Sequence, residues 1–259
     1  MQDLNVAIVQ TSLVWEDRDA NLGRFHEKLD RLPGEPDIVV LPEMFSTGFT
    51  MNAAHLAEAM DGPTVAWMRQ QAQQRGFHLI GSVIIEDGGR FYNRLIWAHP
   101  DGSIGKYDKR HLFRMAREER VYSAGRDKLV VELHGWKICP FICYDLRFPV
   151  WLRNLGNHYD VAIFIANWPA KRSAHWRSLL VARAIENQAY VIGVNRIGED
   201  GHGYAHSGDS MVLDPAGDIL LHARNIECLQ TIPLSYSRLQ SIRESFPVWK
   251  DADDFELRV

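Results

Sequence analysis

Glu43, Lys109 and Cys143 have residue types and settings suited to covalent chemistry. Cys143 ends the apolar run Ile138-Cys139-Pro140-Phe141-Ile142 and is followed by Tyr144-Asp145-Leu146-Arg147-Phe148-Pro149. The run reads as a buried strand, and Pro149-Val150-Trp151-Leu152-Arg153 reads as the opening of a helix. A thiol there is presented at the end of a sheet, where backbone N–H groups can lower its pKa and bind an oxyanion. Glu43 closes Val39-Val40-Leu41-Pro42, and Lys109 lies in Tyr107-Asp108-Lys109-Arg110-His111. If these ends converge, a carboxylate, an ammonium and a thiol share one pocket. Such a set suits acyl transfer from nitrogen. Glu43 takes the thiol proton and later hands one to the departing amine. Lys109 and the Tyr144 backbone N–H face the tetrahedral oxyanion, and Cys143 carries a thioester that water cleaves.

The elements that must position these residues alternate between strand and helix. Val6–Val9 reads as a strand and Asn21–Leu32 as an amphipathic helix, followed by the buried strand Ile38–Leu41. Asp61-Gly62-Pro63-Thr64 starts a helix over Val65–Gln74, and His78–Glu86 pairs with Phe91–Ala98 across Asp87-Gly88-Gly89. After a long polar loop come Leu129–Leu133, Trp136–Ile142 and Val161–Ala166, then a helix over Ala174–Asn187. Tyr190–Asn195, Ser210–Leu213, Ile219–His222 and Glu227–Thr231 complete the strands. Hairpins mixed with strand–helix–strand crossings predict an α/β protein with helices covering its sheets. No repeat or linker divides the chain, so residues 1–259 read as a single domain. Its end, residues 236–259, carries Phe246, Pro247, Val248 and Trp249 among charges and reads as an arm packing on something, a second subunit being one candidate.

A net charge of -4 with both signs interspersed argues against nucleic acid or a membrane as partner. No apolar run approaches the ~20 residues of a membrane span. The start of the chain shows no secretory signal, and three irregularly spaced cysteines do not make a disulfide framework, so a cytoplasmic setting is expected. Cys139 lies four residues before Cys143 and would share its strand face, but no His or Cys companion supports a metal pair. Cys139 and Cys228 read as core, and neither metal nor cofactor is expected.

The order Glu43, Lys109, Cys143, each at a strand end, resembles the nitrilase (carbon–nitrogen hydrolase) superfamily. Cys143-Tyr144-Asp145-Leu146-Arg147-Phe148-Pro149 is similar to its omega-amidase branch, which hydrolyses amides of short dicarboxylic 2-oxo acids. The likeness extends from Ala7-Ile8-Val9-Gln10 through Arg183-Ala184-Ile185-Glu186-Asn187-Gln188 to Asp214-Pro215-Ala216-Gly217. It implies a four-layer α–β–β–α sandwich and a homodimer. It also implies a second glutamate seven residues before a loop glycine; counting back from Gly125 gives Glu118, with Glu119 as the neighbouring register. Its role would be to hold Lys109 and help position the amide nitrogen.

For substrate binding, Arg147 can clamp a carboxylate with its guanidinium fork, the alternative being a structural ion pair with Asp145 or another carboxylate. Trp168, Phe45 and Phe113 are expected as pocket walls. Many omega-amidases carry a small, polar, methionine-containing segment after the strand that ends at Ala166, whereas this chain has Trp168-Pro169-Ala170-Lys171-Arg172. The expected reaction is hydrolysis of a small-molecule amide, 2-oxoglutaramate or 2-oxosuccinamate. The alternatives are a nitrilase or an N-carbamoyl amino acid amidohydrolase and, outside enzymes, an inactive member acting as a binding protein.

Overall fold

Alternation along the strands decides the architecture. In Leu4–Gln10, Val6 and Ile8 join one apolar cluster while Ala7 and Val9 join another, so both faces of this strand are covered. The same split recurs in Ile38–Val40, where Ile38 and Val40 face one way and Val39 the other. A sheet buried on both faces needs a layer on each side.

The computed structural model describes residues 2–258; Met1 and Val259, the two ends of the expected single-domain span, lie outside them. In chain order the strands of the first half are β1 (Leu4–Gln10), β2 (Ile38–Val40), β3 (His78–Asp87), β4 (Arg90–Ala98), β5 (Ile104–Asp108) and β6 (Val131–Leu133). They are followed by β7 (Trp136–Ile142), β8 (Val161–Ala166), β9 (Tyr190–Asn195), β10 (Ile197–Glu199), β11 (Ala205–Leu213), β12 (Ile219–Arg224) and β13 (Cys228–Leu234). The helices are α1 (Arg18–Leu29), α2 (Ala53–Leu56), α3 (Pro63–Arg75), α4 (Pro149–Leu152), α5 (Ser173–Asn187) and α6 (Tyr236–Ser245).

Among the described residues, one six-stranded sheet runs β13-β1-β2-β3-β4-β5, and a seven-stranded sheet runs β10-β11-β9-β8-β7-β6 with β12 on β11. Residues from both sheets, such as Val6, Ile80 and Trp97 with Phe141 and Ile163, share one buried cluster, which places the sheets face to face. Helices α1 and α3 cover the outer face of the first sheet through Phe25, Leu29, Val65 and Met68. Helix α5 covers the second, and the fit there is close. A Cβ on Gly193 of β9 would lie 2.5 Å from Leu180 and 2.8 Å from Trp176. The result is the α–β–β–α sandwich that the resemblance implied.

The structure adjusts several sequence expectations. Helix α1 begins three residues earlier than Asn21, because the Asp17 side chain accepts the Ala20 N–H at 3.0 Å and caps it. Part of the long polar loop is strand β5, whose register on β4 carries the chain directly into Lys109. The arm beginning at Tyr236 starts as α6 and docks on its own chain. There Arg243 donates to Asp160 (2.6 Å) and to the Gln188 and Tyr159 carbonyls.

Candidate active site

Two strand ends carry left-handed backbone at non-glycine residues. Cys143 has φ +43° directly after β7, and Met44 has φ +42° after β2. Such conformations cost about 1–3 kcal/mol each and persist where the surroundings hold them. At Met44 the Ser82 hydroxyl accepts its N–H at 2.8 Å, and its carbonyl accepts from Thr47 and Gly48. At Cys143 the holder is Asp145, fully buried, which accepts from the Ile142 N–H at 3.1 Å. The same carboxylate accepts from the Tyr107 hydroxyl (2.7 Å) and the His111 N–H (2.9 Å). Tyr107 and His111 bracket Lys109 in sequence, so Asp145 ties the lysine-bearing segment to the cysteine turn.

Glu43 follows β2 and Lys109 follows β5, and both are essentially buried. Lys109 Nζ lies 2.9 Å from Glu43 Oε1 and 3.0 Å from each oxygen of Glu118. Glu118 also accepts the Phe113 N–H. Glu119, the alternative register, makes no such contact, so Glu118 is the inward carboxylate. The loop glycine that marked the register is needed for close approach. The Gly125 N–H bonds the Lys109 carbonyl at 3.0 Å, and a Cβ there would sit 2.2 Å from the Asp108 carbonyl oxygen.

Two asparagines complete the cage around Glu43, and neither was expected. Asn93 of β4 donates Nδ2 to Glu43 Oε1 at 2.8 Å, and the Asn167 N–H donates to Oε2 at 2.8 Å. Asn167 also donates its side-chain amide to the Glu43 backbone carbonyl. Both left a trace in the sequence. Asn93 interrupts an apolar strand, and Asn167 ends the apolar run Val161–Ala166 as Glu43 and Cys143 end theirs. With these donors the Glu43 carboxylate is oriented on both oxygens.

The electrostatics follow from burial opposed by partners. Burial works against the Lys109 charge, but Glu118 and then Glu43 outweigh it and hold its pKa above the ordinary lysine value. Burial pushes the Glu118 carboxyl up, with Lys109 opposing. The Cys143 thiol is also pushed up, first by burial and then by the Glu43 charge, with Lys109 pulling the other way. Burial and the Glu43 charge thus oppose the lowering that the strand-end position suggested, and Glu43 is the neighbouring base that could assist the sulfur.

Cys143 is partly exposed, into a pocket of about 480 Å³ that also reaches Glu43, Lys109, Phe113, Tyr144 and Trp168. Tyr144 occupies the first turn of a 3-10 helix over Cys143–Arg147, where opening N–H groups lack intrahelical partners. Arg147 lines the pocket and stacks on Trp168, with its guanidinium carbon 4.6 Å from the ring centroid. It forms no ion pair with Asp145, whose oxygens are already occupied. Phe45 is a correction: it is buried against Phe25 (5.3 Å) and Trp67 (5.9 Å) beneath the first sheet, away from the pocket. The left-handed turn at Met44 intervenes between Glu43 and Phe45. The wall expected there is supplied by Phe49, over which Lys109 Nζ sits at 5.0 Å, and by Met51.

This geometry offers a thiol, an oriented carboxylate, a fixed ammonium and a backbone donor around one opening, which suits acyl transfer. Comparison with known proteins agrees in kind. The family model described as carbon-nitrogen hydrolase matches residues 5–244. The chain is 48% identical to "Omega-amidase YafV" of Escherichia coli (strain K12), over 99% of this chain and 100% of that protein. It is 32% identical to "2-oxoglutaramate amidase" of Bacillus subtilis (strain 168), covering 95% of this chain and 96% of that one. A crystal structure of a CN-hydrolase superfamily protein from Xanthomonas campestris, with an arsenic adduct in its active site, superposes with a TM-score of 0.97. Sequence identity to it is 44%, and each chain is covered in full.

Proposed function

Because this chain belongs to the carbon–nitrogen hydrolase family, we propose that it is an omega-amidase converting the terminal amide of 2-oxoglutaramate or 2-oxosuccinamate to carboxylate and ammonia. Support comes from one juxtaposition: the buried Glu43–Lys109–Glu118 set beside Cys143, in a pocket where Arg147 has no carboxylate partner. The names of the E. coli and B. subtilis relatives point the same way.

In this reading Glu43 takes the thiol proton as the Cys143 sulfur bonds to the amide carbon. The oxyanion so formed rests against Lys109 and the Tyr144 N–H. Glu43 then gives its proton to nitrogen, the C–N bond breaks and ammonia leaves a thioester. Water, deprotonated by Glu43, adds to that carbon; the C–S bond breaks, and the proton returns to sulfur. Glu118 holds the Lys109 charge throughout. Arg147 binds the substrate's distant carboxylate, with Trp168 and Phe113 as walls.

Three free cysteines fit a reducing cytoplasm. A homodimer is supported by apolar side chains left in solvent on the second sheet's side, Ile185 of α5 and Phe246 after α6, at 51% and 67% exposure. No helix among the described residues is long and apolar enough to cross a membrane.

The test is ammonia release from 2-oxoglutaramate by the wild type and by Cys143→Ala, with glutamine and an aliphatic nitrile alongside. Release confined to the 2-oxo amide, and lost by about 10⁴-fold or more in the variant, is expected. Silence on the 2-oxo amide with turnover of the nitrile would replace this substrate assignment.

A further inference from the structure

The segment that departs from the omega-amidase pattern, Trp168-Pro169-Ala170-Lys171-Arg172, brings a second guanidinium into the pocket. Arg172 lines the same opening as Arg147 and Cys143. Its guanidinium carbon sits 5.3 Å from the Phe113 ring centroid, as that of Arg147 sits 4.6 Å from Trp168. Among the described residues, neither arginine forms an ion pair with a carboxylate. The one polar contact of the Arg147 guanidinium is to His175 Nδ1 at 3.2 Å. An arginine lying over a ring keeps edge N–H donors free, and beyond the Arg147 contact to His175 both guanidiniums have donors to spare.

One platform is tied to the buried charge cluster and the other to the end of β9. The Phe113 N–H donates to Glu118, and the Trp168 N–H donates to Asn195 Oδ1 at 2.8 Å. The Trp168 indole does two jobs: its face carries Arg147, and its Nε1–H donates to the Arg172 carbonyl at 2.8 Å. The bulky residue is thus the scaffold that sets the two cations side by side. Burial and the neighbouring Arg172 both work against the Arg147 charge. Two like charges crowded in a partly dry pocket are unfavourable until an anion joins them.

We propose that Arg172 is a second specificity residue, sharing with Arg147 the carboxylate of the substrate and its adjacent 2-oxo oxygen. The inference rests on the omega-amidase reading and deepens it: the anionic end of the 2-oxo acid amide is held by two forks rather than one. A monoanion bound by two guanidiniums presents its charge and its carbonyl oxygen to separate donors, whereas a neutral amide presents nothing to either.

The experiment compares kcat/KM for 2-oxoglutaramate with that for pentanamide, which has the same chain length and no anionic end. The wild-type ratio tests the underlying reading: a wild type that prefers pentanamide overturns the omega-amidase assignment whatever the variants do. Given a wild type that prefers 2-oxoglutaramate, Arg172→Gln is expected to shrink the ratio by about 10- to 100-fold, mainly through KM, the size of losing charge-assisted hydrogen bonds. Arg172→Lys keeps charge but not the fork, so its ratio should fall between the two. Equal losses on both substrates would make Arg172 a structural residue and overturn the proposal. So would a ratio unchanged in Arg172→Gln or, should that variant not fold, in Arg172→Lys.

Discussion

The charges at the bottom of the pocket and those at its mouth are arranged oppositely. At the bottom, Lys109 is shared by Glu43 and Glu118 at 2.9–3.0 Å, and all three side chains are at most 1% exposed. At the mouth, Arg147 and Arg172 are half-buried, stacked on aromatic rings and unmatched by any carboxylate among the described residues. Buried charge must be matched within the protein because water cannot solvate it. Charge at a wetter rim can wait for its partner. Under the proposed function, the deep set would hold reacting groups in place and the rim would recognise the substrate that arrives.

The largest break in that comparison is expected from Lys109→Met. Removing the shared cation leaves two carboxylates facing each other in the dry interior. A loss of about 3–5 kcal/mol in denaturant unfolding should accompany the loss of turnover. Adding Glu118→Gln should recover part of that stability and none of the activity, because it removes the second negative charge but does not restore the ammonium. A Lys109→Met protein as stable as the wild type would mean the cluster is not dry.

Arg147→Gln should give the reverse pattern. kcat/KM on an anionic amide should fall by about 10- to 100-fold. Unfolding free energy should change by no more than about 1 kcal/mol, the size of the lost stack on Trp168. A large stability loss would place Arg147 with the structural charges.

A last prediction, read in the pH dependence of stability, concerns His206, which lines the pocket and is mostly buried. Burial, then the nearby Arg196 charge, lowers its pKa to about 4 from the ordinary 6.5. Above pH 6.5 the ring is neutral in both folded and unfolded chains, and stability is unaffected. As pH falls from 6.5 towards 4 the unfolded chain takes up the proton first, and up to about 3 kcal/mol is lost. His206→Gln should flatten that part of a stability–pH curve; an unchanged curve would show that His206 titrates normally.

Much of this was readable from residue types and spacing. Apolar runs of four to seven residues ending in Glu43 or Cys143 announce strand ends, because a buried strand must be apolar on both faces and a reactive group can appear only where it stops. Lys109 was harder to place. Its strand β5 is an edge strand in which Tyr107 alone is fully buried, so Ile104-Gly105-Lys106-Tyr107-Asp108 does not stand out from a loop. Asn93 and Asn167 are ordinary polar residues until the fold shows that both point at one carboxylate.

The sequence by itself carried the resemblance to the family, through it the expected layering, and the candidate thiol, carboxylate and ammonium. Those depend on local pattern, which survives in one dimension. Only the tertiary structure decided which way each neighbour faces. It turned Phe45 into the core after the left-handed Met44, chose Glu118 over Glu119, freed Arg147 from Asp145 and brought Arg172 beside it. These outcomes depend on single backbone dihedrals and on contacts between segments distant in the chain. Residue type and spacing encode neither.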